Sequence, residues 1–171
     1  MELVVRKRAI GKTPQYQRKG KRSKSVHFFG GSSFIATFGV CGLDYRFGWS
    51  SVPFAAVIAA LVTMLAGYAL FVITLTHNRF ASRVVEIQNG QKVIDTGAYA
   101  VVRHPLYTAA IVMFFASPVV LGSWWAVIPM LIFLVGIILR ILNEEKILRD
   151  GLDGYANYMK KVRYRLIPFI W

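Results

Sequence analysis

The sequence has little cysteine and little negative charge. Its one cysteine, Cys41, lies in an apolar run, so the chain forms neither an internal disulfide nor a cysteine-based zinc site. Aspartate and glutamate total 8 against 21 lysines and arginines, which gives a formal net charge of +13. A balance this basic is typical of two classes: nucleic-acid-binding proteins and membrane proteins with cationic loops.

Long apolar runs decide between these two classes. Hydrophobic residues make up 56% of the chain and the mean hydropathy is +0.48, both high for a soluble globular protein. Residues 52–76 contain no charged side chain and are long enough to cross a bilayer with some tilt. Because such runs separate the cations, we predict an integral membrane protein that has the lipid bilayer as a partner and does not bind nucleic acid.

Four apolar runs suggest how the chain is arranged: residues 27–43, 52–76, 106–121 and 123–142. The last two are joined at Gly122-Ser123, a connection so short that they should form an antiparallel helical hairpin. We therefore predict an all-α integral membrane protein with about four transmembrane helices, including this hairpin near the carboxyl terminus.

The distribution of cations predicts the orientation. Nearly all lysines and arginines fall in residues 1–26, 77–104 and 143–171. With four spans these segments lie on one side, which the positive-inside rule makes the cytoplasm. We expect a multi-pass protein with both termini cytoplasmic. Its parts would be a basic arm over residues 1–26, two transmembrane helices over 27–76, and a functional core over 77–171.

Two polar motifs lie at the two ends of the predicted hairpin. The first runs from Gly97 to Tyr107 and reads GAYAVVRHPLY, and the second is Asn143-Glu144-Glu145. Because both ends of an antiparallel hairpin return to one side, we expect the two motifs to meet on the cytosolic face.

Neither motif is specific by itself. The proline of Arg103-His104-Pro105 suits the first turn of a helix, which His104 would then cap. Arg140 and Glu144 are spaced i, i+4, so a mutual ion pair is one explanation for them. Acids at the predicted end of a helix oppose its dipole, and a cationic ligand would relieve that conflict. No metal site is expected, because one histidine and two acids are a thin ligand set.

The motifs taken together, in their order, resemble the isoprenylcysteine carboxyl methyltransferase family, and membrane phospholipid N-methyltransferases share much of the pattern. The resemblance covers roughly residues 77–171. Its elements are GAY at 97–99, RHPLY at 103–107, the apolar hairpin, EEKIL at 144–148, GYANY at 154–158, and residues 162–168.

The resemblance implies a membrane methyltransferase that uses S-adenosylmethionine in a cytosolic pocket, with residues 77–171 as its core. By position, the cofactor contacts would be Glu86, Gln91, Lys92, Val93, Ile94, Tyr99, His104, Pro105, Leu106, Tyr107 and Glu144. Relatives often carry glutamine where Glu86 stands. Arg140 matches an arginine that faces the substrate carboxylate in the family.

The chemistry of the methyl acceptor stays open between two groups. A carboxylate needs no general base, only a positioning cation such as Arg140, which favours carboxyl O-methylation of a prenylated cysteine. An amine has to lose a proton, which Glu145 or Glu86 would accept. The acceptor is in either case lipidated or lipid-like, and phospholipid N-methylation is the alternative.

Two other classes compete with the methyltransferase interpretation. Sterol reductases resemble this family in their carboxy-terminal part, but an NADPH-dependent reductase would need a site for the 2′-phosphate and a much longer chain. A non-catalytic membrane protein is the third class. The intact set of Tyr99, His104, Tyr107 and Glu144 argues against it.

Overall fold

The computed structural model describes residues 24–78 and 90–171, with side chains from residue 31 onward in the first range. These residues form helices and connecting segments, and no strand is found among them. The helices are α1 (Lys24–Phe47), α2 (Phe54–His77), α3 (Pro105–Val120), α4 (Val127–Gly151) and α5 (Tyr155–Lys161), with a 3₁₀ turn at Gly97–Ala100. The basic arm, apart from its end, and Glu86 lie outside the described residues.

Two of the described helices are long and apolar enough to cross a membrane. They are α2, with a mean hydropathy of 2.5, and α4, with 2.1. Only 6% of the apolar window of α2 is buried inside the protein, so α2 is unlike the core helix of a soluble protein. Helix α3 is apolar but has only 16 residues. The prediction of four spans is therefore met for two helices and stays a prediction for α1 and α3.

The predicted hairpin is formed by α3 and α4. The chain turns between them at Gly122, whose φ of 79° lies in the left-handed region that favours glycine. Backbone N–H groups of Gly122 and Ser123 donate to carbonyls of the last turn of α3. A short, capped turn of this kind holds two helices antiparallel and returns α4 to the side where α3 began.

Helix α4 is longer than the apolar run that predicted it. It continues to Gly151, so Glu144 and Glu145 lie within the helix and not at its end. The prediction that these acids oppose the terminal dipole was wrong for that reason. The apolar run ends at about residue 142, whereas the helix continues because Leu148 and Leu152 pack against the tail.

The remaining helices pack against the two arms of the hairpin. Helix α2 lies along α3 and α1 lies along α4. The α2–α3 contact is closest at Gly67, where an added methyl group would stand 2.9 Å from the Met113 side chain. Phe34 of α1 meets Phe114 and Phe133 edge to face, with ring centroids 4.6 and 5.5 Å away. These contacts fix the hairpin on both sides.

The tail folds back onto the first polar motif. Helix α5 buries Tyr155 and Tyr158 in a cluster with Leu152 and Val162. Beyond α5 the chain pairs with the start of α3. The N–H groups of Arg103 and His104 donate to the carbonyls of residues 164 and 165, both at 2.9 Å. The tail thus closes over the residues at which both motifs meet.

Candidate active site

A chain of hydrogen bonds joins the two motifs through Tyr107. The Tyr107 hydroxyl donates to Glu144 Oε2 at 2.6 Å and accepts from Arg140 Nε at 2.7 Å. The Arg140 guanidinium carbon also lies 5.8 Å from the centroid of the Tyr107 ring. Arg140 and Glu144 are thus bridged by the tyrosine, a link that the i, i+4 spacing alone does not predict. The arrangement sets a cation and an anion on either side of one phenol.

Glu145 lies in a second, more buried group of charges. Arg103 Nε donates to its Oε1 at 2.7 Å and Arg165 Nε donates to its Oε2 at 2.9 Å. The side chains of Arg103 and Glu145 are only 5% and 6% exposed. Arg103 also donates to the carbonyl of Val162 at 3.2 Å. Each oxygen of the Glu145 carboxylate therefore accepts a hydrogen bond from an arginine. One arginine belongs to the first motif and the other to the tail.

His104 occupies the N-cap position of α3, but its side chain makes no capping hydrogen bond. Its ring stacks on Tyr107, with centroids 5.6 Å apart. His104 is buried, and its Nε2 atom has no hydrogen-bond partner. Glu145 Oε1 is 3.4 Å away, which is too long for a well-formed bond. A buried polar atom without a partner is costly, which is expected where a ligand supplies the missing bond.

Tyr99 is held from two directions. The Asn78 amide donates to its hydroxyl at 2.7 Å, and the Tyr158 hydroxyl donates to its carbonyl at 2.8 Å. Burial raises the pKa of the Tyr99 and Tyr158 hydroxyls, so both stay neutral at physiological pH. The carboxylate of Glu144 also raises the pKa of Tyr99, which indicates that the two side chains share one electrostatic environment.

The segment before the first motif contributes less. Val93 packs against the tail cluster that contains Tyr155, and Asp95 accepts from Lys161 at 2.8 Å. Because Lys161 donates to it, the pKa of Asp95 is lowered. Lys92 is exposed, and Gln91 and Ile94 are half-buried.

The structure brings together part of the predicted set. Tyr107, Glu144 and Arg140 are bonded to one another, His104 stacks on Tyr107, and Tyr99 lies nearby. Pro105 is buried at the start of α3 and Leu106 follows it half-buried. Residues 91–94 lie by the tail, and Glu86 is outside the described residues. The roles assigned to all of these residues stay predictions.

Several residues that shape the site were missed by reading the sequence. Arg103 belonged to the first motif but received no role, and Arg165 looked like one more cation of the tail. Arg163, two residues away, is exposed, so composition alone does not tell the two apart. Asn78 likewise received no role, because in the sequence it is only a polar residue just after an apolar run. Within the described residues, no group of three or more histidine, cysteine or acidic side chains is placed to hold a metal ion.

Comparison with known proteins gives one match. A family model described as phospholipid methyltransferase matches residues 54–152. The match begins with α2 and extends through both polar motifs, which is more than half of the chain. No curated protein matches the sequence significantly.

Proposed function

The chain belongs to the phospholipid methyltransferase family, and we propose that it uses S-adenosylmethionine to methylate a lipid-like acceptor at the membrane surface. One observation carries this proposal. The bonded group of Arg140, Tyr107 and Glu144 lies beside a buried His104 nitrogen whose nearest acceptor among the described residues, Glu145 Oε1, is 3.4 Å away. Charges of both signs and an unused polar atom are what a small zwitterionic ligand needs.

These residues fit the charges of the proposed cofactor. S-adenosylmethionine carries a sulfonium, an ammonium and a carboxylate, and when bound it supplies an electrophilic methyl group. Glu144 would hold a cationic part, and His104 would hydrogen-bond a polar group through Nε2. The aromatic faces of Tyr99 and Tyr107 attract methylated cations. Each of these side chains is already aligned by a stack or a hydrogen bond, which lowers the cost of binding.

The protein's part in methyl transfer is alignment and exclusion of water. Methyl transfer is a displacement that relieves charge on sulfur, so the site has to hold donor and acceptor in line. The tail supports this alignment because its backbone is bonded to Arg103 and His104 and its Arg165 is bonded to Glu145. We propose that Glu145 anchors the tail in this way, in place of the proton-accepting role expected from the sequence.

Two acceptor groups remain candidates. Arg140 supports a carboxylate, such as that of a prenylated cysteine, because a guanidinium binds carboxylates in a bidentate geometry. The family match supports a phospholipid amine. We propose that the lipid tail of either acceptor stays in the bilayer while its polar head reaches the motifs.

The proposed topology has four spans, with α1 and α3 crossing beside α2 and α4. Its support is that α1 presents Ile35 and Phe38 outward, at 77% and 57% exposure. Apolar side chains that project this far from a protein of this composition suit lipid. Both motifs, the basic arm and the tail then lie on the cytosolic side.

Calorimetric titration with S-adenosylhomocysteine tests the proposal, with NADPH as the control ligand. We expect micromolar binding of the first compound and none of the second. Glu144→Ala and His104→Ala should each abolish this binding while the protein remains inserted and folded. Binding of NADPH alone would favour the reductase, and unchanged binding in both variants would refute the site assignment.

A further inference from the structure

The end of α2 places a histidine beside the first motif. The ring of His77, the last residue of α2, lies against Gly97. A methyl group added at Gly97 would stand 3.1 Å from His77 Cδ2 and 3.4 Å from Nε2. The next residue, Asn78, donates to the Tyr99 hydroxyl. His77 therefore borders the candidate site at the point where a membrane helix ends, and it is exposed.

Its hydrogen bond determines which ring nitrogen carries the proton. His77 Nδ1 lies 2.7 Å from the carbonyl oxygen of Ile73. A carbonyl only accepts, so Nδ1 must be the donor, and in the neutral ring Nε2 keeps its lone pair. The Thr76 hydroxyl donates to the same carbonyl at 2.8 Å, which fixes the acceptor in place. A neutral imidazole that is held by Nδ1 and has no partner at Nε2 among the described residues is the arrangement of a general base.

We propose that His77 takes the proton from an amine acceptor, which rests on the amine form of the proposed function. The protonated headgroup, R–NH₃⁺, gives one proton to His77 Nε2 and becomes R–NH₂. The nitrogen lone pair then forms a bond to the methyl carbon as that carbon's bond to the sulfonium sulfur breaks, and the bonding pair stays on sulfur. The product is the ammonium R–NH₂⁺–CH₃, and exposed His77 releases its proton to water.

The acids near the site are less suited to this step. Both oxygens of Glu145 accept from arginines, and Glu144 accepts from Tyr107. Asp95 pairs with Lys161 on the surface. Glu144 is assigned to the cofactor in the proposed function. Protonation of Glu145 or Asp95 would break ion pairs, which makes these two carboxylates weak proton acceptors. The imidazole of His77 has no such cost at Nε2.

The glycine of the first motif supports the same assignment. Gly97 has a φ of 59°, and the His77 ring occupies the space where a side chain would lie. Glycine is favoured here for two reasons: the positive φ of the backbone and the close approach of the His77 ring. Gly97→Ala would therefore strain the turn and push the ring from its position, and we expect it to impair the same step.

Steady-state kinetics of His77→Asn test the proposal. Asparagine keeps an N–H that reaches the Ile73 carbonyl but has no basic nitrogen. With phosphatidylethanolamine in mixed micelles, we expect kcat/KM to fall on the order of 100-fold. The difference in kcat/KM between the parent and His77→Asn should shrink as the pH is raised into the range where the lipid amine is unprotonated. At such a pH the acceptor reaches the site without a proton to lose. Thr63→Val, which removes a hydroxyl-to-carbonyl bond of the same kind in the middle of α2, should retain the parent rate.

Two outcomes separate failure of this inference from failure of the proposed function. A parent protein that binds no S-adenosylhomocysteine and methylates no lipid refutes the proposed function and removes the basis of the inference. A parent that methylates the amine lipid while His77→Asn matches it refutes His77 alone. Methylation of prenylated cysteine only, with no amine turnover, also overturns the role of His77.

Two measurements that do not depend on turnover complete the test. His77→Asn should bind S-adenosylhomocysteine as tightly as the parent, because the ring does not hold the cofactor in this proposal. Long-range ¹H–¹⁵N spectra of histidine-labelled protein in micelles, assigned with the variant, should show neutral His77 protonated on Nδ1. A neutral ring protonated on Nε2 would overturn the proposal, because that nitrogen would then have no lone pair to offer.

Discussion

Carboxylates at the two ends of the helical hairpin accept hydrogen bonds from different kinds of donor. At the turn between α3 and α4, Asp44 accepts from the Ser50 N–H at 2.7 Å, from the Ser50 hydroxyl at 2.6 Å and from the Ser123 hydroxyl. These donors are neutral and come from the two loops at that end. At the motif end, Glu144 and Glu145 accept from a tyrosine and two arginines.

We interpret this difference as one between a structural site and the proposed functional site. The Asp44 group is small and complete, and it ties the α1–α2 loop to the hairpin turn. Ser50 in addition accepts from the N–H of Trp124 at 3.1 Å. At the motif end, His104 Nε2 is buried and its nearest acceptor among the described residues, Glu145 Oε1, is 3.4 Å away. A ligand that bonded to this nitrogen would complete it, which supports the proposal that the motif end binds the ligand.

Removing Glu145 should have the largest effect on stability. Glu145→Ala would leave Arg103, with a 5% exposed side chain, as a buried charge without its carboxylate. Breaking a buried pair in this way costs about 3–5 kcal/mol, which corresponds to a fall in Tm on the order of 10 °C for a chain of this size. Thermal unfolding in detergent measures it.

Asp153→Ala is the matched control, because Asp153 is an exposed acid on the same side of the molecule. It should leave Tm nearly unchanged. If Glu145→Ala melted at the same temperature as Asp153→Ala, the two arginines would not depend on Glu145. The motif end would then owe its shape to backbone pairing with the tail alone.

The sequence predicted the hairpin and the meeting of the two motifs, because both follow from the lengths of the apolar runs and the short connection between them. It did not predict the partner of each charge. Arg140 and Glu144 share a helical face, yet the link between them passes through Tyr107 from another helix. Arg165 and Arg163 look alike in composition, and only the path of the tail directs one of them to Glu145.

The length of α4 shows the same limit. Hydropathy marks where apolar side chains stop, at about residue 142, whereas the helix ends at Gly151. The additional turns are stabilised by contacts with residues of the tail, such as Tyr155 against Leu152. Hydropathy does not record such contacts, so the end of the apolar run does not predict the end of the helix.

Removing Asp44 should affect stability less than removing Glu145 and should not affect ligand binding. Asp44→Ala would leave the Ser50 and Ser123 hydroxyls without their acceptor, at a cost of about 1–3 kcal/mol. The affinity for S-adenosylhomocysteine should equal that of the parent, because Asp44 lies at the other end of the hairpin. Titration calorimetry and thermal unfolding on one preparation check both statements. Weakened binding would contradict the division between the two ends.

The smallest effect is expected from the bond between Asn78 and Tyr99, which joins α2 to the motif end. Asn78→Ala removes the donor and Tyr99→Phe removes the acceptor. Asn78 has other contacts, so the bond is isolated only by combining both changes in a double-mutant cycle. We expect the double variant to lose about 1 kcal/mol less in S-adenosylhomocysteine affinity than the two single losses added together. Strict additivity would show that the bond does not orient Tyr99 for the ligand. The end of α2 would then be a support of the bundle, like the Asp44 group, and not a part of the site.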